Sequence, residues 1–307
     1  MNRWIAIVVL ATLPMAALAA DPPAHRAHLA KAAVVRVTKD RDPAVRSSGV
    51  VVLDPATGQT LFAKNADQQA PIASITKLMT AMVVLDANQP LDEPIEITSE
   101  DIDLVKNTTS RLPIGSRFLR ADLLRLALMA SENRAASALG RSYPGGLPAF
   151  VAAMNAKAAA LGLTQTHYVD SSGLSPENVS SPADLGKLVA AASHYDLIRE
   201  YTTTSAVNVQ LPDSKRKLSF INTNSLVRHS DWKIGLSKTG YINEAGKCLV
   251  MQAMIANQPI VIVLLDSWGR LTRVADANRI RRWVERNSTR LLAARTASAT
   301  APTPTPE

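Results

Sequence analysis

"WKIGLSKTGYINEAGKCLVMQAMIANQPIVIVLLD", residues 232–266, carries three strand-like runs on which the fold class turns. "WKIGLSKTG", "KCLVMQAMIA" and "PIVIVLLD" are punctuated by the turn signals "YINEAG" and "NQP", which predicts an antiparallel meander. Two more runs lie far upstream: Gly49 to Leu53 and Gln59 to Ala63 flank Asp54-Pro55-Ala56-Thr57-Gly58 and read as a hairpin. Shorter strand-like runs, "AVNVQL" and "KLSF", precede the meander.

Between hairpin and meander the pattern changes period. "PIASITKLMTAMVVLD", residues 71–86, is apolar almost all round from Ser74 onward and predicts a central buried helix. From about 90 to 205 the spacing is mainly helical, as in "RADLLRLALMA", "LPAFVAAMNAKAAALG" and "SPADLGKLVAAASHY". The last has Ser181 as N-cap and Pro182 at the first helical position. A basic amphipathic helix follows the meander, roughly Leu271 to Leu292. Strands at both ends around a helical middle imply an α/β (α+β) fold. Hairpin and meander share one antiparallel five-stranded sheet flanked by helices, and a mainly helical insertion leaves a cleft for a site.

The chain has 307 residues, 47% of them hydrophobic and 4% aromatic, so its core is built from Ala, Leu, Val and Ile. Residues 1–19 read as a secretory signal peptide: Asn2 and Arg3 precede an apolar stretch, and Ala17-Leu18-Ala19 is a small-residue cleavage pattern. Residues 20–46 are a loose lead-in, 47–292 the folded domain, and 293–307 a disordered Pro/Thr tail. No other run approaches the roughly twenty apolar residues of a membrane span, so no stable membrane anchor is expected. Cys248 is the single cysteine, which rules out an internal disulfide, and its apolar surroundings predict a buried, inert thiol. A net charge of +8 favours anionic surroundings such as cell-wall polymers. Nucleic acid is not expected, because no zinc-finger spacing, helix-turn-helix signature or aromatic-rich basic strand is present.

Three short motifs carry chemistry. Ser74-Ile75-Thr76-Lys77 is an S-x-x-K, but so are Ser214 with Lys217 and Ser230 with Lys233, and alone Ser74 would read as a helix cap. Ser131-Glu132-Asn133 is the only S-x-N, and Lys238-Thr239-Gly240 the only K-T-G. Their order, S-x-x-K then S-x-N then K-T-G, is that of class A β-lactamases and penicillin-binding proteins. Three residues apart on a helix, Ser74 and Lys77 share a face. Lysine serves as a base only when burial or a neighbouring cation lowers its pKa; the apolar helix supplies the first and Lys238 the second.

From about Gly49 to Trp283 the chain resembles the penicillin-binding D-alanyl-D-alanine peptidases, most closely the small D,D-endopeptidases that cut peptidoglycan crosslinks. The resemblance rests on "APIASITKLMTAMVVLD", "MASENRAASALG", "DSSGLSPENVSSPADL" and "SKTGYINEAGKCLVMQA". It implies a β-lactamase/transpeptidase-like fold with Ser74 as nucleophile and Lys77 as its base. Ser131 relays the proton to the leaving amine, unless it caps the following helix, and Asn133 holds Lys77 and the substrate backbone. Lys238 and Thr239 bind the substrate carboxylate, and Gly240 lets substrate lie along the strand. The N–H groups of Ser74 and Tyr241 form the oxyanion hole. Glu132, in the variable middle place, is a solvated or structural charge. The implied partners are peptidoglycan peptide stems, β-lactams as covalent inhibitors, and other wall hydrolases; the chemistry calls for no cofactor and no metal. The implied setting is the periplasm of a Gram-negative envelope.

Rival classes lack their residues. G-x-S-x-G and H-E-x-x-H are absent, and Tyr241 stands where a P-loop in "GLSKTGY" needs lysine. No E-x-x-L-N follows the second motif, since Glu177 precedes Asn178, Val179 and Ser180, which argues against a class A β-lactamase. A β-lactam sensor would typically hang from transmembrane segments. A D,D-carboxypeptidase is the nearest alternative; many carry a second β-rich domain and a C-terminal anchor, for which the residues after the last helix leave no room.

Overall fold

The computed structural model describes residues 42–211, 216–269 and 271–299, with side chains through residue 289. The expected signal peptide, most of the lead-in, Ser214 and the end of the tail lie outside these residues. The upstream hairpin is β1 (Gly49–Leu53) and β2 (Thr60–Lys64). Ala70–Pro71 (β3) leads into a 3-10 turn, Ala73–Ile75, and helix α1 (Thr76–Asp86). The insertion contains β4 (Pro94–Glu96), β5 (Arg117–Leu119), α2 (Arg120–Met129), α3 (Asn133–Arg141) and α4 (Gly146–Ala160). It closes on β6 (Val179–Ser180), which pairs with β3. Then come α5 (Pro182–Ala192), α6 (Asp196–Thr203) and the small hairpin β7 (Ala206–Gln210) and β8 (Lys217–Ile221). The meander is β9 (Lys233–Ile242), β10 (Gly246–Ile255) and β11 (Gln258–Ser267), followed by α7 (Thr272–Ala299).

Hairpin and meander form one antiparallel five-stranded sheet in the order β2-β1-β11-β10-β9. Each central strand is apolar on both faces, and period-two alternation divides its residues between two cores. Val51, Leu53, Val250, Val261, Val263 and Leu265 join α1, α2, α3 and α5 on one side. Val50, Val52, Leu249, Met251, Ile260, Ile262 and Leu264 meet α7 on the other. The sheet is therefore covered on both faces, as its unbroken hydrophobic runs require.

Three elements differ from their sequence reading. Helix α1 does not begin at Ser74: a 3-10 turn carries the serine, and the α-helix starts two residues later. Helix α5, within the stretch read as insertion, packs on β1, β10 and β11, burying Leu185, Leu188 and Val189. Gly186 permits this approach, because a Cβ there would sit 2.5 Å from Leu53 Cδ2. Its cap is as expected, with Asp184 N donating to Ser181 Oγ at 3.2 Å. Helix α7 runs on through Ala299, past the Leu292 end expected of it and into the stretch read as tail, where "LAARTASA" keeps good helix formers. Its arginine-rich outer face hides an apolar stripe, Ala277, Ile280, Trp283 and Val284, against the sheet.

Asp276, fully buried on that helix, ties α7 to the segment that leads into β1. It accepts from Arg46 N at 2.9 Å, Ser47 N at 2.7 Å and Ser47 Oγ at 2.7 Å, and pairs with Arg279 at 2.6 Å. Asp276→Ala strands these donors and is expected to cost about 3 kcal/mol of unfolding free energy. Urea unfolding checks it; a loss under about 1 kcal/mol, the scale of a surface pair, would refute the tie.

Candidate active site

The three motifs converge where the 3-10 turn, α1, the α2–α3 junction and edge strand β9 meet. Ser74 is half-buried at the turn, and Lys77, one turn into the core, is wholly buried. Lys77 Nζ donates to Ser74 Oγ at 2.9 Å, Asn133 Oδ1 at 2.7 Å and the Ser172 carbonyl at 2.6 Å. Burial penalises the charged form and lowers the pKa to about 7, against the pull of Asp170, Glu132 and Asp103. A lysine poised near neutrality is a competent general base.

The second lysine is as deeply buried. Lys238 Nζ donates to Ser131 Oγ at 2.8 Å and to the Thr239 carbonyl at 2.9 Å. Burial first, then the charges of Lys77 and Arg273, hold its pKa well below the ordinary lysine range. Burial is the largest cause of the low pKa of both lysines, and their mutual repulsion adds to it.

Ser131 does not cap α3. Glu132 occupies the N-cap position without a side-chain cap, and Ser131, at φ 59°, turns its hydroxyl to Lys238. Glu132 bonds to Ser110 Oγ. Burial raises its pKa although Ser110, Lys77, Arg111 and Arg134 oppose the shift, so it is a half-sequestered structural charge. Asn133 reaches Thr108 Oγ1 with its Nδ2 at 3.0 Å.

Alternation along β9 puts Lys238 and Gly240 on one face and Thr239 on the other, where its hydroxyl donates to Thr223 Oγ1 at 2.6 Å. At Gly240 the neighbour is the chain itself: a Cβ would lie 2.8 Å from the Ile72 carbonyl and 3.3 Å from Ser74 N. The glycine lets the serine turn seat against the strand. Tyr241 is 56% exposed, its ring 4.1 Å from Lys247 Nζ and its hydroxyl on Asn243 at 2.9 Å. Its side chain stands apart from the other motif residues.

The structure adds groups that the motifs did not reveal. The Ser172 carbonyl is one, and Arg273 is another. From the start of α7, Arg273 Nη1 donates to the Cys248 carbonyl at 3.0 Å and the Gly240 carbonyl at 3.3 Å. No ion pair engages it among the described residues, and burial lowers its pKa. Cys248 is buried as expected, and burial pushes its thiol up to about 11. No group of His, Cys, Asp and Glu among the described residues is arranged to hold a metal.

A hydroxyl beside a buried lysine of lowered pKa, with a second buried lysine bonded to Ser131, is equipped for serine-based acyl transfer. The chain matches the D-alanyl-D-alanine carboxypeptidase family over residues 36–268 and belongs to that family of hydrolases. It is 48% identical over 239 residues to a D-alanyl-D-alanine endopeptidase of Pseudomonas aeruginosa, covering 78% of this chain and 77% of that one. A D-alanyl-D-alanine endopeptidase of Escherichia coli is 44% identical over 256 residues, 83% of each chain. The crystal structure of the Streptomyces K15 DD-transpeptidase superposes with a TM-score of 0.73 at 30% identity, covering 78% of this chain and 97% of that one.

Backbone strain surrounds the serine. Ala73 has φ 49°, and the Gly173 position, at φ 80°, lies so close that a Cβ would fall 1.9 Å from the Ala73 carbonyl. Gly115 has nearly the same φ, 82°, with nothing within 4 Å. Gly115→Ala is expected to cost only the left-handed strain, about 1 kcal/mol. Gly173→Ala is expected to cost several times more, because backbone atoms must move. Paired urea unfolding curves measure both, and equal losses would show that Gly173 serves conformation alone.

Proposed function

We propose that the protein is a serine D,D-endopeptidase that hydrolyses D-alanyl peptide crosslinks of peptidoglycan through an acyl-enzyme on Ser74. The observation that carries this reading is the Lys77 amine, held 2.9 Å from Ser74 Oγ with its pKa lowered to about 7. Ser74 Oγ attacks the D-alanyl carbonyl while Lys77 takes the proton. Ser131, bonded to Lys238, relays that proton from Lys77 to the leaving amine as the C–N bond breaks. A water then attacks the ester carbonyl, releases the acyl group and returns a proton to Ser74 Oγ. The Ser74 and Tyr241 N–H groups hold the developing oxyanion. Asn133 positions Lys77 and the substrate backbone. Lys238 and Thr239 receive the carboxylate or its equivalent, and Arg273 adds a guanidinium suited to it.

The endopeptidase reading draws support from the two relatives of that name, each matched over more than three quarters of its length. The alternative, D,D-carboxypeptidase activity, has the same chemistry with a shorter leaving group. A β-lactam presents a strained amide to the same serine and acylates it. Export to the periplasm fits the apolar N-terminal stretch, and no described helix is long and apolar enough to cross a membrane.

Ser74→Ala is expected to abolish both penicillin labelling and cleavage of a crosslinked muropeptide dimer, read by mass spectrometry. Release of D-Ala from a pentapeptide monomer without dimer cleavage would replace endopeptidase by carboxypeptidase. The base must be neutral to act. Acylation by a chromogenic β-lactam is therefore expected to rise with pH through about 7 and level off above. A rate flat from pH 5 to 9 would remove Lys77 from the role.

A further inference from the structure

Lys77 serves as base only if its lone pair points at Ser74. A neutral amine has two N–H bonds and one lone pair, while Lys77 Nζ has three oxygen neighbours. The Ser172 carbonyl can only accept. If Asn133 also presents its oxygen, both N–H bonds are spoken for, and the lone pair has one direction left, towards the Ser74 hydroxyl. If the Asn133 amide turns over, its NH2 competes for that lone pair and draws it off the nucleophile. A charged Lys77 holds the amide oxygen by itself. The neutral form, which is the reactive one, does not.

A loop of the insertion supplies the missing constraint. Asp103 accepts from Val105 N at 2.8 Å, Lys106 N at 2.9 Å and Thr108 N at 2.8 Å, and from Thr108 Oγ1 at 2.6 Å. Burial pushes this carboxyl up, but the Thr108 hydroxyl and the three N–H groups outweigh it and leave the pKa below the ordinary carboxylate range. An ionised carboxylate only accepts, so the Thr108 hydroxyl must donate to it. Towards Asn133, 3.0 Å away, Thr108 then offers lone pairs alone, and the amide must present Nδ2. Farther along the loop, Lys106 pairs with Glu244 of the β9–β10 turn, which fastens the loop to the far side of the cleft.

The geometry points to Asp103 and Thr108 as positioning residues for the general base: they set the orientation of the Asn133 amide and thereby aim the Lys77 lone pair at Ser74 Oγ. Neither touches the reacting atoms. The inference rests on the proposed roles of Ser74 and Lys77. Thr108 is exposed, so in its absence water reaches Asn133; water both donates and accepts, and does not choose between the two amide orientations.

The test measures acylation of the purified chain by a fluorescent penicillin, separating the non-covalent constant K from the acylation rate constant. Thr108→Val keeps the shape and loses the hydroxyl. It is expected to slow acylation about fivefold with K and melting temperature held, whereas Thr108→Ser recovers most of the rate. Asp103→Asn, measured at about pH 9 where Lys77 is neutral with or without the nearby carboxylate, moves the rate constant in the same direction as Thr108→Val. In an Asn133→Ala background, Thr108→Val is expected to change the rate by less than about twofold, since the group it orients is gone. An unaltered rate in Thr108→Val, no rescue by serine, or a full fivefold effect without Asn133 would each overturn the positioning role. Failure of the unmodified protein to label, or labelling of Ser74→Ala, would instead bring down the underlying reading of the site.

Discussion

An ammonium withdrawn from water costs several kcal/mol unless it is neutralised or well solvated by protein dipoles. Lys77 is wholly buried on a helix whose other inward residues are apolar except for Thr76 and Thr80. The structure answers with three oxygen acceptors and three carboxylates, Asp170, Glu132 and Asp103, at longer range. That compromise leaves the amine near its midpoint at neutral pH. A deeper pocket would leave it neutral but too weak to take a proton, and a wetter one would keep it charged.

Much of the architecture serves that lysine. Helix α1 packs among α2, α3, α4, α5 and α6, and the acceptors come from three separate places: the 3-10 turn, the α2–α3 junction and the loop at Ser172. Each arrives through strained or tightly fitted backbone. Ala73 and Ser131 adopt positive φ, and Gly173 and Gly240 leave room where any side chain would collide. Strain of this kind persists because the surrounding packing over-determines it. The cost is borne by two full cores, one on each side of the sheet.

What was legible in the sequence was local or chemical. Period-two runs and Pro/Gly turns marked the hairpin and the meander, and Ser181-Pro182 marked the start of α5. The three motifs announced themselves by order. The rest was hidden for physical reasons. The Ser172 carbonyl is a backbone atom, and backbone atoms have no letter in a sequence. Arg273 and Asp276 sat in a run of charges that periodicity cannot sort into solvated and buried. Asp103 and Thr108 belong to a loop with no period at all, and their meaning depends on Asn133, which approaches them only after folding. The turn carrying Ser74 read as the start of the helix because nothing in "PIASITK" betrays the left-handed residue before it.

Among the described residues the sheet ends at β9, a ten-residue strand with no strand on its outer side. Long open edges invite pairing with other chains, and soluble proteins usually blunt them with charge, proline or a bulge. This one cannot be blunted freely, since Lys238, Thr239 and Gly240 occupy it. It is guarded by neighbours instead: the serine turn and α6 pack along it. The same contacts that assemble a reaction centre thus double as protection against self-association, so damage to the turn would threaten solubility as well as turnover.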